Sequence, residues 1–232
     1  ADALTTGTNN TAVGYRALTA NTTGLNGTAM GLESLKSNTT GDHNTAVGKS
    51  ALEFNTSGTR NTAVGTFTLD ANTTASYNTA IGYNALTANT TGSVNTAVGA
   101  ISLDANTTGS SNTAVGKDAL GVNVTGGSNT AVGRGSLQAN LGNSNTGLGA
   151  YAMQTNTTGQ YNVAVGQQAL DQNTTGGESV AIGYYALQSN TTASNNTAVG
   201  CEALEKCSTG SQNTAVGFRT LEEMTTGYNN TV

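Results

Sequence analysis

Few residues of this chain could do chemistry. There is a single histidine, His43, so neither a histidine pair for a metal nor a nucleophile–base–acid triad can be assembled. Gly48-Lys49-Ser50 looks like the end of a phosphate-binding loop, but such a loop needs an earlier glycine at the position held by His43. Six acids, Glu53, Asp70, Asp104, Asp171, Glu205 and Glu222, share one position of a repeating frame yet are spread along the chain. A calcium ladder wants acids in consecutive coils on glycine-rich turns. Cys201 and Cys207 are too far apart to bridge if the chain between them is extended at about 3.3 Å per residue, so two isolated thiols are expected, with an intrachain disulfide across a tight turn or an interchain one as the alternative. No catalytic residue, metal or cofactor is expected, and the chain does not read as an enzyme.

The frame itself is the dominant signal. Asn10 to Asn26, NTAVGYRALTANTTGLN, recurs as GTAMGLESLKSNTTGDH from Gly27 and as NTAVGKSALEFNTSGTR from Asn44. Thirteen units run from Asn10 to Asn229, between a partial unit at 1–9 and another at 230–232. Twelve have 17 residues; the unit beginning at Asn129 has 16. A fixed short period marks a solenoid. Numbering each unit from its first residue, position 5 is always Gly, position 9 is Leu or Met153, and position 4 is Val, Ile, Leu or Met. Position 12 is Asn in eleven units. Within the units, charge falls only at positions 6, 7, 10, 11, 16 and 17, which are therefore expected to face water.

Composition narrows the class. Only 9% of residues are charged, with 31 Gly and no Pro or Trp. A disordered tract has no reason to keep Val and Leu in fixed register. The eight Lys and Arg are scattered in a chain of net charge −5, so no basic stripe offers itself to nucleic acid. No run approaches the roughly 18 apolar residues of a membrane helix. With no initial Met and no signal-like segment, the chain is expected to be a processed product or a fragment.

These observations predict an all-β, parallel β-solenoid (β-roll) of about thirteen 17-residue coils in a single domain. Each coil is expected to hold a first strand over positions 1 to 4, a turn at the position-5 Gly, and a second strand over about positions 7 to 11. A turn at Asn-Thr-Thr-Gly closes it. A helix over the Ala-Leu segment would be interrupted after five or six residues, too short to nucleate. Stacking at about 4.8 Å per coil gives a rod on the order of 65 Å. Positions 4 and 9 are expected to form buried Val and Leu ladders, and positions 1 and 12 two Asn ladders bonding along the stack. The many Asn-x-Thr/Ser sequons (Asn21, Asn38, Asn55, Asn72) are accounted for by that turn and ladder chemistry, with glycosylation as the competing use.

Two surfaces stand out as interaction candidates. Positions 1 to 5 are uncharged in every unit, a long strip of small residues suited to an interface. Tyr15, Tyr83, Tyr184, Tyr185 and Phe218 lie just past the turn Gly, where exposed rings could bind a protein or a glycan. The ends also fit one another: Asn230-Thr231-Val232 starts a unit, and Ala1 to Gly7, including Ala3 and Leu4, resembles the rest of one. Unprotected coil ends invite addition of another chain, so head-to-tail stacking through these residues is an expectation.

NTAVGYRAL, NTAIGYNAL and Ser179-Val180-Ala181-Ile182-Gly183 resemble the repeats of trimeric autotransporter adhesin heads and related phage tail-fibre modules. That resemblance spans essentially the whole chain. It implies a left-handed parallel β-roll, three chains packed side by side, and an extracellular structural or adhesive fibre. The unit departs from the family pattern by its length and its inserted Asn-Thr-Thr-Gly, and no neck, stalk or anchor lies within these residues. An ice-binding solenoid using Thr and Asn ladders is the alternative.

Overall fold

In the computed structural model, which describes Ala3 and residues 5–232, the chain forms a parallel β-solenoid with no helix among the described residues. It divides into two compact units, Ala1–Ala114 and Val115–Val232. The three-residue strands are β1 (Thr11–Val13), β2 (Thr28–Met30), β3 (Thr45–Val47), β4 (Thr62–Val64), β5 (Thr79–Ile81) and β6 (Thr96–Val98) in the first unit. β7 (Thr113–Val115) falls at the boundary. In the second unit are β8 (Thr130–Val132), β9 (Thr146–Leu148), β10 (Val163–Val165), β11 (Val180–Ile182), β12 (Thr197–Val199) and β13 (Thr214–Val216).

Within the first unit β1 to β6 pair parallel in chain order, like residue on like: Thr11 opposite Thr28, Ala12 opposite Ala29. β8 to β13 do the same in the second. The offset is one coil, 17 residues, except that Thr130 faces Thr146 across the shorter unit. That missing residue is absorbed in a turn, where Asn140 Nδ2 reaches Gly142 O, two residues on, in place of the usual three. Thr231 continues the stack by bridging to Thr214, and Asn230 N donates to Asn213 Oδ1. Ala3 N donates to Thr19 O, whereas Ala1 and Leu4 lie outside the described residues.

The core differs from the expectation in two ways. Position 4 points outward: Val13 is 56% exposed, Ile81 40% and Val216 60%. The inward strand residue is the position-3 Ala, buried from Ala29 to Ala215 except where Gly147 replaces it. Alternation forces the choice, because a strand with Ala inside must turn both flanking residues out. The second expected strand is also absent. Positions 7 to 11 are turns or bends in the coils of β1 to β13, and the residues at positions 8 and 9 are both buried in most of them, as in Ala51–Leu52 and Ala186–Leu187. No strand can send consecutive side chains to one side. The backbone manages it by placing positions 7 and 9 in the left-handed region, for example Asn84 at φ 53° and Leu86 at 55°.

Coil-to-coil hydrogen bonding persists through this irregular segment. Leu35 N donates to Ala51 O at 3.0 Å and Ser37 N to Glu53 O at 3.0 Å, so the backbone groups beside the core stay paired. One Leu or Met per coil, flanked by small residues and Asn, is the whole apolar filling from Leu18 to Leu204.

Candidate functional site

Asparagine holds the interior. At position 12 the amides bond to one another along the stack: Asn38 Nδ2 donates to Asn21 Oδ1 at 3.0 Å, Asn55 to Asn38 and Asn72 to Asn55 at 2.8 Å. The same nitrogens donate to the position-15 carbonyl of their own turn, as Asn55 does to Gly58. Position-1 Asn works differently. Asn44 Nδ2 donates to Gly58 O, while its Oδ1 accepts the backbone N–H of Asn61. The expected amide-to-amide ladder therefore exists at position 12, and position 1 is chiefly a side-chain-to-backbone ladder. Asn21, Asn38, Asn55 and Asn72 are buried, so these sequons are closed to a glycan in the folded coil.

The position-12 ladder breaks at Cys207. This buried thiol, its pKa pushed up by burial, donates to Gly210 O at 3.3 Å but gives nothing to the coil before it. Asn190 Oδ1 is left buried without a partner. Cys207→Asn should restore the missing bond, adding about 1 kcal/mol. The melting temperature should rise by roughly 2–4 °C on scanning calorimetry. A lower melting temperature would mean that the thiol's packing outweighs the bond.

Along positions 7 and 10 of the first coils runs an ion-pair chain: Arg16–Glu33 at 3.0 Å, Glu33–Lys36 at 3.2 Å and Lys36–Glu53 at 2.7 Å. Asp70 follows at the same position, with one carboxylate oxygen buried and unpartnered. Burial, and then the Glu53 charge, push its pKa up from 3.8 to about 6, Lys36 opposing in part. Folding thus favours the protonated acid, and stability falls as pH climbs from 3.8 through about 6. Asp70 stays partly exposed, so solvent screening keeps the effect small. Asp70→Asn is expected to melt roughly 1–3 °C higher than the parent at neutral pH, with the difference vanishing below the unfolded pKa. A constant difference across that range would show that the carboxyl charge is not its cause.

The aromatic residues singled out from sequence lie past the turn Gly as expected. Tyr15 (74% exposed) and Tyr83 sit in the first unit, in coils that are not neighbours. In the second, Tyr184 and Tyr185 stack at 3.9 Å between ring centres, and the Tyr184 hydroxyl is pushed up to about 12, chiefly by hydrogen bonding with Tyr185. Phe218 carries the Arg219 guanidinium 5.1 Å from its centre. Glu202, Glu205 and Glu222 bring carboxylate oxygens within 4.8 Å of one another, and Arg219 pairs with Glu202 and Glu222. The protein's own cation therefore compensates that cluster.

A groove that sequence reading missed crosses three coils of the second unit. It has a volume of about 360 Å³ and is lined by Gln160, Tyr161, Gly177, Glu178, Ser194 and Asn195. Its signal in the sequence is Gly176-Gly177-Glu178, where a second Gly stands at position 16.

Among the described residues no helix is long and apolar enough to cross a membrane. No protein-family model matches the chain, and no curated protein matches it.

Proposed function

We propose that this β-solenoid is an extracellular structural or adhesive fibre protein, not an enzyme, whose copies associate side by side, as a homotrimer by the resemblance of its repeats. The observation that carries this reading is the outer face of the sheet. Positions 2 and 4 of every strand point outward, uncharged, and leave Val13, Met30 and Ile81 exposed in the first unit and Leu148, Ile182 and Val216 in the second. A repeated apolar face of this kind is a liability in a free chain, and a second copy offers an identical surface to cover it. The core supports the same reading, since a single Leu per coil leaves much of the apolar surface to be buried elsewhere.

Sedimentation is the test. The parent is expected to run as an oligomer, and Val64→Asp with Ile81→Asp as a monomer with unchanged β circular dichroism, because both side chains lie outside the core. A folded, monomeric parent at working concentration would overturn the proposal.

The outward Thr column at position 2, from Thr28 to Thr96 in the first unit, favours ice binding as the second reading. Appreciable thermal hysteresis from the monomeric protein would select it.

A further inference from the structure

We propose that the groove between Tyr161 and Asn195 in the second unit is a saccharide-binding site. The proposal goes beyond lateral association and uses a different face of the coil.

The groove arises from one missing side chain. At position 16 the coils usually satisfy each other: Thr59 N donates to Ser76 Oγ at 3.0 Å, Ser76 N to Ser93 Oγ at 3.3 Å, and Gly177 N to Ser194 Oγ at 3.0 Å. The same position in the next coil after Gln160 is Gly177, which has no side chain to accept. The Gln160 N–H accordingly finds no acceptor among the described residues; a Cβ built on Gly177 would sit 3.8 Å from that nitrogen and, closer, 3.0 Å from Gln160 O, so a side chain there would enter the groove at the cost of a small shift of the turn.

Around this opening the polar groups are free to meet a ligand. The side chains of Gln160, Tyr161, Glu178 and Asn195 make no hydrogen bonds to the described residues, nor do the hydroxyls of Thr158 and Thr175 at the rim. Tyr161, Glu178 and Asn195 occupy the same position in successive coils, each with φ near 60°, so their spacing is set by the stack at about 4.8 Å. The backbone beside them is already committed, Glu178 N to Gln160 O and Asn195 N to Gly177 O, which leaves no strand edge for a peptide. Recognition falls to amides and hydroxyls that both donate and accept, one carboxylate that accepts, and a Tyr ring 61% exposed at the rim. Vicinal hydroxyls on one face and C–H groups on the other match that set, with the ring as a stacking platform. A lone carboxylate is too few oxygen ligands for a hard cation, and it repels anions.

Titration of the full chain with the methyl glycosides of glucose, galactose, mannose and N-acetylglucosamine, followed by NMR, tests the site. At least one is expected to bind in the millimolar range and to shift the signals of Tyr161 and the Gln160 N–H. Gly177→Ser should supply the missing acceptor, fill the opening and weaken binding at least tenfold, with circular dichroism and sedimentation unchanged. Tyr161→Ala should weaken it similarly, whereas Tyr77→Ala should not. No shift with any of the four glycosides, or undiminished binding by Gly177→Ser, would overturn the proposal. Shifts produced by calcium in place of every glycoside would also overturn it, in favour of a cation site.

Discussion

Leu69→Asp is expected to unfold the first unit at room temperature. Leu69 is the one large apolar side chain its coil buries fully, and its neighbours in the stack, Leu52 and Leu86, are fully buried too. An aspartate there loses the apolar burial and places a carboxylate where no cation reaches, a cost of about 5 kcal/mol or more. That is comparable with the whole stability of an ordinary domain. Val64→Asp, five residues earlier, should leave the fold intact, because position 4 faces outward. Circular dichroism melts of the two variants compare the faces directly; equal destabilisation would mean that the inward and outward assignments of the coil are wrong.

Gly82→Ala is expected to be nearly as damaging despite adding a single methyl group. Gly82 has φ +134°, a conformation that side-chain-bearing residues avoid, and a Cβ there would sit 2.5 Å from Gly99 O in the next coil. The carbonyl belongs to the stack and has little room to retreat, so the cost should be about 3 kcal/mol or more, with a melting temperature lower by roughly 6–12 °C. Position 15 provides the contrast. Ala75 and Ala193 stand there in place of Gly and remain buried; a Cβ built on Gly92 would meet Gly109 O at 2.2 Å, but its backbone conformation admits a side chain, so Gly92→Ala should cost less than Gly82→Ala. If both glycines respond alike, the left-handed backbone at position 5 is not what fixes the residue.

Much of this architecture was legible in the repeat. The period gave the coil, the invariant Gly gave the sharp bend, and the recurring position-12 Asn gave the ladder. Two features were hidden, for related reasons. Val at position 4 looks like core because it is the larger residue, yet the interior at the strand has room only for the Ala beside it once Leu fills the centre. Ala-Leu looks like a strand because neighbouring coils do hydrogen-bond there, but the left-handed residues that turn both inward carry no composition signal: Leu52, Leu86 and Leu187 are ordinary leucines held at positive φ by their burial. The groove was harder still. It depends on Gly177 standing where five other coils have a serine (Ser76, Ser93, Ser110, Ser194 and Ser211), and on its effect on a residue 17 positions earlier.

The shortened coil between β8 and β9 has a bearing on how such a chain changes length. Strand register and the Leu137–Met153 filling survive the loss of one residue because the deletion falls in the turn around Asn140 to Ser144, away from the strand and the Leu layer. Insertions and deletions there are absorbed locally, whereas one between Gly149 and Met153 would slide the large side chain out of its layer. Since each coil bonds only to its immediate neighbours, gene slippage can add or remove whole coils at little energetic cost. The tolerant turn is accordingly the place where short foreign peptides could be grafted, displayed once per coil at a fixed pitch.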